Sequence, residues 1–198
     1  MSKRKDYIQS NLALLFNIVK SGDIFYTCDN SIISKVIRYV ETGGNLVKVP
    51  SHCGIITDIY SSNNRIYVNI IEMRYNGAWK GQIDIYLRKN TKLWISRINE
   101  PKNTEKGLIW AFNQQGKKYA YWQLGAIFIL AFLRWINIKR KRWDVLLRYL
   151  NERKTFICSE FVVRYTTEAG QTLKEGSPDF ITPLDLYYSN KQIFIDSK

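Results

Sequence analysis

Hydrophobic residues recur at helical spacing near the N-terminus and again after residue 100. Apolar positions three and four residues apart are typical of one buried helix face. Asn30 is a typical N-cap residue, and Gly170 is a typical helix C-terminus. On this pattern we predict helices over Tyr7–Val19, Ser31–Val40, Thr104–Gln115, Tyr121–Ile138, Trp143–Leu150, Cys158–Ala169 and Pro183–Tyr187.

The segments between these helices are shorter and richer in β-branched residues, which predicts strands. The polar linker 61–64, Ser-Ser-Asn-Asn, predicts a hairpin between two of them. The predicted strands are Ile24–Tyr26, His52–Tyr60, Arg65–Met73, Gln82–Leu87, Lys92–Ile98 and Gln192–Ile195.

The order of these elements predicts an α+β fold in which an antiparallel sheet packs against helices. A chain of 198 residues is long enough for one domain with a proper core and short for two. We therefore expect a single domain over 1–198. It would have an N-terminal helix in 1–20, a strand-rich half at 21–100 and a helical half at 101–198.

Neither apolar stretch of the chain predicts a membrane anchor. Leu124–Leu133 is about half of the roughly 20 residues that a spanning helix needs, so a buried core helix is the better interpretation. The basic N-terminus lacks a signal-peptide cleavage pattern. We expect a cytoplasmic protein, with peripheral association to a membrane as an alternative.

Lys and Arg number 30 against 17 Asp and Glu, which gives a net charge of +13. This balance favours anionic partners such as anionic lipid or nucleic acid. The basic run 139–142, Lys-Arg-Lys-Arg, lies between Trp135 and Trp143 and could contact phosphates while the rings stack on bases. An ordinary solvated helix end explains the same run better, so nucleic acid is not the favoured partner.

The chemistry-bearing residues are few. The three cysteines and the single histidine, His52, lack the spacing of metal ligands, so we expect neither a zinc site nor a cofactor. Cys158 lies where the extended segment Thr155–Ile157 passes into a predicted helix, and a helix N-terminus favours a thiolate. His52 would be its general base, and Glu72 on the neighbouring strand could orient the imidazole or pair with Arg74 or Lys80.

The segment 158–165, Cys-Ser-Glu-Phe-Val-Val-Arg-Tyr, closely resembles the nucleophile segment of the YiiX-like proteins, circularly permuted relatives of the NlpC-type, papain-like cysteine peptidases. Further short motifs occur in the same order as in that family, and together they span most of the chain. They are Gly22-Asp23-Ile24-Phe25, His52-Cys53-Gly54-Ile55, Ile71-Glu72, Gly116-Lys117-Lys118-Tyr119 with Tyr121, and Ile181-Thr182-Pro183-Leu184-Asp185-Leu186.

The resemblance implies a permuted papain-like fold, with an antiparallel sheet or partial barrel. It implies Cys158 as nucleophile, His52 as general base and acid, and Glu72 as the orienting carboxylate. Tyr119 and Ser159 are candidate contacts to the oxyanion or the substrate. The chain departs from the family at Ala120, where an Asp usually follows the Tyr.

The implied activity is acyl transfer through a thioester, most simply a cysteine amidase or peptidase acting on an amide or ester. That substrate could be a peptide, a wall-peptide fragment or a lipid acyl group, and an alcohol or amine acceptor would make the protein an acyltransferase. The alternative is a non-catalytic basic module that binds anionic lipid or nucleic acid on the same fold. The oligomeric state stays open.

Overall fold

The computed structural model describes residues 2–45, 47–88, 91–98, 101–118, 157–171 and 181–195. The predicted helices Tyr121–Ile138 and Trp143–Leu150 lie outside these residues, and so do the basic run 139–142, Tyr119 and Ala120. Within the described residues, no helix combines the length and the hydropathy needed to cross a bilayer.

The described residues form helices and strands in an α+β arrangement. The helices are α1 (Ser2–Ile18), α2 (Ile32–Glu41), α3 (Asp84–Arg88), α4 (Thr104–Phe112), α5 (Cys158–Glu168) and α6 (Pro183–Ser189). The strands are β1 (Ile24–Cys28), β2 (His52–Ser62), β3 (Arg65–Arg74), β4 (Gly77–Gln82), β5 (Lys92–Arg97) and β6 (Lys191–Ile195).

The strands form one antiparallel, open sheet in the order β4-β3-β2-β1-β5-β6. The hairpin predicted from the polar linker joins β2 to β3. The loop is shorter than the polar linker, because only Asn63 and Asn64 lie between the two strands. Both adopt positive φ values, of 50° and 56°. Asn tolerates this left-handed conformation, and two such residues make the turn that suits the twist of a hairpin.

Helices cover both faces of the sheet, and successive residues of β1 face opposite layers. Ile24 and Tyr26 belong to the core beneath α4, α5 and α6, whereas Phe25 belongs to the core beneath α1 and α3. All five residues of β1 are buried, as expected for a central strand covered on both faces.

The predicted strand Gln82–Leu87 is wrong. Its residues alternate as a strand would, but the chain forms β4 just before them and the short helix α3 within them. The side chains that reach the core are Ile83, Tyr86 and Leu87, at helical spacing. The apolar residues spaced three and four positions apart, and not those that alternate, therefore form the buried face of this segment.

Two of the family-like motifs have structural roles. The Tyr165 hydroxyl donates to the carbonyl oxygen of Gly22 over 3.1 Å. A side chain at position 22 would clash with Thr104 and Tyr165, and φ there is +93°. Asp23 accepts two hydrogen bonds from the Arg97 guanidinium, at 2.9 and 2.8 Å. The Gly-Asp pair therefore anchors α5 and β5 to the start of β1.

The motif that begins at Ile181 includes the start of α6 at Pro183. Thr182 is the N-cap, and its side chain and that of Asp185 form a reciprocal capping box. The acidic residue of this motif is therefore explained by helix capping.

Candidate active site

His52 and Glu72 meet across the β2–β3 hairpin. Glu72 lies opposite Gly54 in the strand pairing, and His52 is two residues before Gly54, so the two side chains share one face. Nε2 of His52 is hydrogen-bonded to the Glu72 carboxylate. A Cβ at position 54 would come within 2.6 Å of the Phe25 ring and 2.8 Å of the Glu72 Cβ, so glycine is needed there for this approach.

Glu72 is fully buried and accepts hydrogen bonds from two further side chains. The Arg74 guanidinium donates to one oxygen, with Nε at 2.8 Å and a terminal nitrogen at 2.7 Å. The Tyr86 hydroxyl donates to the other oxygen, which also contacts His52. Burial alone would raise the pKa of Glu72, but the charge and hydrogen bond of His52, followed by Arg74 and Tyr86, lower it. Glu72 is therefore a carboxylate over the ordinary pH range.

Arg74 and Tyr86 are themselves held in place. The Arg74 guanidinium lies 3.5 Å from the centroid of the Trp79 ring, which β4 places opposite Glu72. Burial raises the pKa of Tyr86, and so does its contact with Glu72, so its hydroxyl keeps the proton that it donates. The sequence suggested Arg74 only as an alternative partner of Glu72, and it missed Tyr86 because its segment was taken for a strand.

Cys158 is the first residue of α5, as predicted. Ile157 precedes it in extended conformation, with φ −86° and ψ 165°, and makes no side-chain cap. The backbone N–H groups of the first helical turn have no partner within the helix and can stabilise negative charge beside the sulfur. The residue is only 4% exposed.

The thiol of Cys158 lies against the start of β2, where it interacts with His52 and Cys53. A hydrogen bond from Cys53 favours the thiolate most, and burial opposes it. The charge and hydrogen bond of His52 then help to lower the pKa of Cys158 well below its ordinary value. Conversely, burial would lower the pKa of His52, but the charges of Cys158 and Glu72, and its hydrogen bonds to both, raise it to about 10.

These opposite shifts describe a thiolate–imidazolium pair with a carboxylate behind the imidazole. Because Nε2 faces Glu72, Nδ1 is the ring nitrogen that remains for Cys158. His52 is 24% exposed, whereas the Glu72 side chain has no exposed surface. The imidazole is thus the member of the three that solvent or a substrate reaches most easily.

Cys53 affects the pKa of Cys158 as well as packing in the core. It is fully buried, and burial raises the pKa of its thiol, as does its hydrogen bond to Cys158. Cys53 therefore stays a protonated donor beside the Cys158 sulfur. Its position next to His52 was visible in the sequence, but its contact with Cys158 depends on how α5 packs on β2.

The remaining candidates contribute less. Ser159 is fully buried, and its hydroxyl has no hydrogen-bond partner in the described part of the chain. Its contact with the oxyanion or the substrate stays a prediction. Tyr119 lies outside the described residues. Among the described side chains, no three His, Cys, Asp or Glu residues converge as a metal site would require.

Comparison with known proteins leaves the geometry as the main guide to function. No protein-family model matches the chain, and no curated protein matches it either.

Proposed function

We propose that this protein is a thiol-dependent acyl-transfer enzyme, most simply a cysteine amidase or peptidase. The observation that carries the proposal is the hydrogen bond between His52 and the buried Glu72 carboxylate at the start of β2, the strand on which the helix begun by Cys158 packs. The opposite pKa shifts of Cys158 and His52 support it. The resemblance of the motifs to the YiiX-like, permuted papain-like proteins supports it, since their order is His, Glu, Cys.

In the proposed reaction the Cys158 thiolate attacks the carbonyl carbon of an amide or ester. Backbone N–H groups in the first turn of α5 stabilise the oxyanion of the tetrahedral intermediate. His52 gives its Nδ1 proton to the leaving amine or alcohol, and the carbon–heteroatom bond breaks to leave an acyl thioester on Cys158.

The second half of the reaction releases the acyl group. Neutral His52 takes a proton from water, or from an alcohol or amine acceptor, as the acceptor attacks the thioester carbonyl. The thiolate leaves, and the imidazolium is restored. Glu72 accepts from Nε2 throughout, which fixes the tautomer and stabilises the imidazolium without taking its proton.

The three free cysteines also support a reducing compartment such as the cytoplasm. The alternative of a basic binding module rests on the run 139–142, which lies outside the described residues.

The proposal is tested by trapping the thioester. The activated ester p-nitrophenyl acetate is mixed with the protein, and acid-quenched samples are mapped by peptide mass spectrometry. We expect a burst of p-nitrophenol and acetylation at Cys158, both abolished in Cys158→Ala and retained in the matched control Cys28→Ala. Acetylation spread over lysines, with no burst that depends on Cys158, would contradict the proposal.

A further inference from the structure

Glu41 presents a buried carboxyl group beside Cys158. It is the last residue of α2, and neither of its carboxyl oxygens has exposed surface or a hydrogen-bond partner in the described part of the chain. A buried polar group without a partner is costly, so native proteins rarely keep one without a reason. Nothing in the sequence pattern had singled out this residue.

Among the described residues, the neighbouring polar groups offer the two carboxyl oxygens of Glu41 only one uncommitted donor, the backbone N–H of Leu184. The hydroxyl of Thr182 and the backbone N–H of Leu184 approach it. The Thr182 hydroxyl, however, donates to Asp185 over 3.1 Å, so its only proton is committed. Arg38, one turn earlier on α2, instead donates to the carbonyl oxygens of Asp29, Ser34 and Val47.

The charges near Glu41 are negative. Burial raises the pKa of Glu41 to about 8, against the contacts from Thr182 and Leu184, and the charges of Cys158 and Asp185 raise it further. The chain carries a net charge of +13. Even so, none of its described cations forms an ion pair with this carboxyl. The carboxyl group of Glu41 therefore lacks a compensating positive charge among the described residues.

A positively charged hydrogen-bond donor would supply what the buried carboxyl of Glu41 lacks, which is both donors and a compensating charge. A primary ammonium has three N–H donors for the carboxyl oxygens, and its charge favours the ionised form of Glu41. The proposed reaction already requires a substrate to reach Cys158, whose charge acts on Glu41, so a group next to the reacting carbonyl lies in the neighbourhood of Glu41. Cys158 acts on Glu41 through its charge, so the bound group would lie beside the reacting carbonyl.

We propose that Glu41 forms a specificity subsite that binds a protonated primary amine of the substrate, close to the carbonyl that Cys158 attacks. The subsite rests on the proposed function, since it is defined relative to the nucleophile. The substrate class is then an amino-bearing amide or ester, such as an aminoacyl or peptidyl compound.

Two thiol reagents of similar size test the subsite without a known substrate. Aminoethyl methanethiosulfonate carries an ammonium group, and hydroxyethyl methanethiosulfonate is neutral. The rate at which each modifies Cys158 is measured by peptide mass spectrometry at neutral pH, and the readout is the ratio of the two rates. We expect this ratio to fall about fivefold in Glu41→Gln, as for the loss of a partly buried ion pair.

Two further variants keep the result interpretable. Glu105→Gln removes an exposed carboxylate from α4 and should leave the ratio unchanged. Glu41→Asp keeps the carboxylate, so its ratio should stay above that of Glu41→Gln. If the substitutions only disrupted the local fold, both variants would show the same low ratio. A ratio unaffected by Glu41→Gln, or equal in the Asp and Gln variants, overturns the subsite.

The same data separate this inference from the proposed function. If Cys158 reacts no faster than Cys28 with either reagent, the proposed function fails. If Cys158 reacts fastest but its ratio does not depend on Glu41, only the subsite fails.

Discussion

The Glu72 carboxylate accepts a hydrogen bond from Nε2 of His52 across the β2–β3 hairpin. This contact depends on the strand register, because Glu72 lies opposite Gly54 and shares its face with His52. A one-residue slip of the register would place the carboxylate on the other face of the sheet. The register of the hairpin therefore brings Nε2 of His52 to the Glu72 carboxylate.

The first prediction concerns the charge of His52. Burial lowers the pKa of His52, but Cys158 and Glu72 raise it to about 10. The imidazole should therefore stay protonated through neutral pH. Since it is the only histidine in the chain, its NMR signals can be assigned without ambiguity. We expect the pKa of His52 to fall in Cys158→Ala and in Glu72→Gln, with Cys28→Ala as control.

An imidazole that titrates near its ordinary pKa in the wild-type protein would contradict this prediction. A pKa that is equally high in Cys158→Ala would show that the thiolate does not contribute.

The second prediction concerns Tyr86. Its hydroxyl donates to the buried Glu72 carboxylate, so Tyr86→Phe leaves part of that carboxylate unsatisfied. We expect the free energy of unfolding to fall by about 1–3 kcal/mol, as for other buried acceptors that lose a donor. Urea denaturation measures this change.

Tyr60→Phe is the matched control for Tyr86→Phe. Tyr60 is 44% exposed, and its ring stacks on Tyr67 with centroids 5.0 Å apart, which phenylalanine would preserve. Equal changes in the two variants would show that the Tyr86 hydroxyl does not support Glu72.

The third prediction concerns the effect of Glu41 on stability. Its pKa is raised from 4.5 to about 8, chiefly by burial, so the folded protein binds this proton more tightly than the unfolded chain does. The resulting stability is fully present below pH 4.5 and is lost as the pH rises to about 8. As the pH rises from 4.5 to about 8, we expect the free energy of unfolding of Glu41→Gln to increase by at least about 1 kcal/mol relative to that of the wild type.

Urea denaturation at the two ends of this pH range measures that gain. Glu105→Gln serves as the control, because its carboxylate is exposed. A difference between Glu41→Gln and the wild type that does not change with pH would mean that Glu41 ionises normally in the folded protein.

The sequence predicted much of the scaffold because its periodicities are local. The β2–β3 hairpin and the start of α5 at Cys158 are both confirmed. The strand predicted over Gln82–Leu87 is wrong because the same alternating sequence also fits a short helix. In that helix, Tyr86 and Leu87 are the third and fourth residues, and they make the contacts with the core. That error concealed Tyr86, a direct partner of Glu72.

Glu41 and Cys53 could not have been chosen from sequence spacing. Glu41 reaches the Cys158 region from α2, 117 positions earlier (158 minus 41), through contacts that only tertiary packing creates. Cys53 lies next to His52 in the chain, but its significance depends on where α5 packs on β2. The chemistry of single residues was predictable, whereas the groups that tune it were not.

The most direct test of the central claim is the rate of alkylation of each cysteine by iodoacetamide at mildly acidic pH. Cys28 is the internal control, because it is 6% exposed against 4% for Cys158, and burial raises its pKa. A thiolate–imidazolium pair predicts that Cys158 is labelled well before Cys28 and Cys53, and that His52→Ala removes this advantage. Equal labelling of the three cysteines, or fast labelling of Cys158 that persists in His52→Ala, would contradict it.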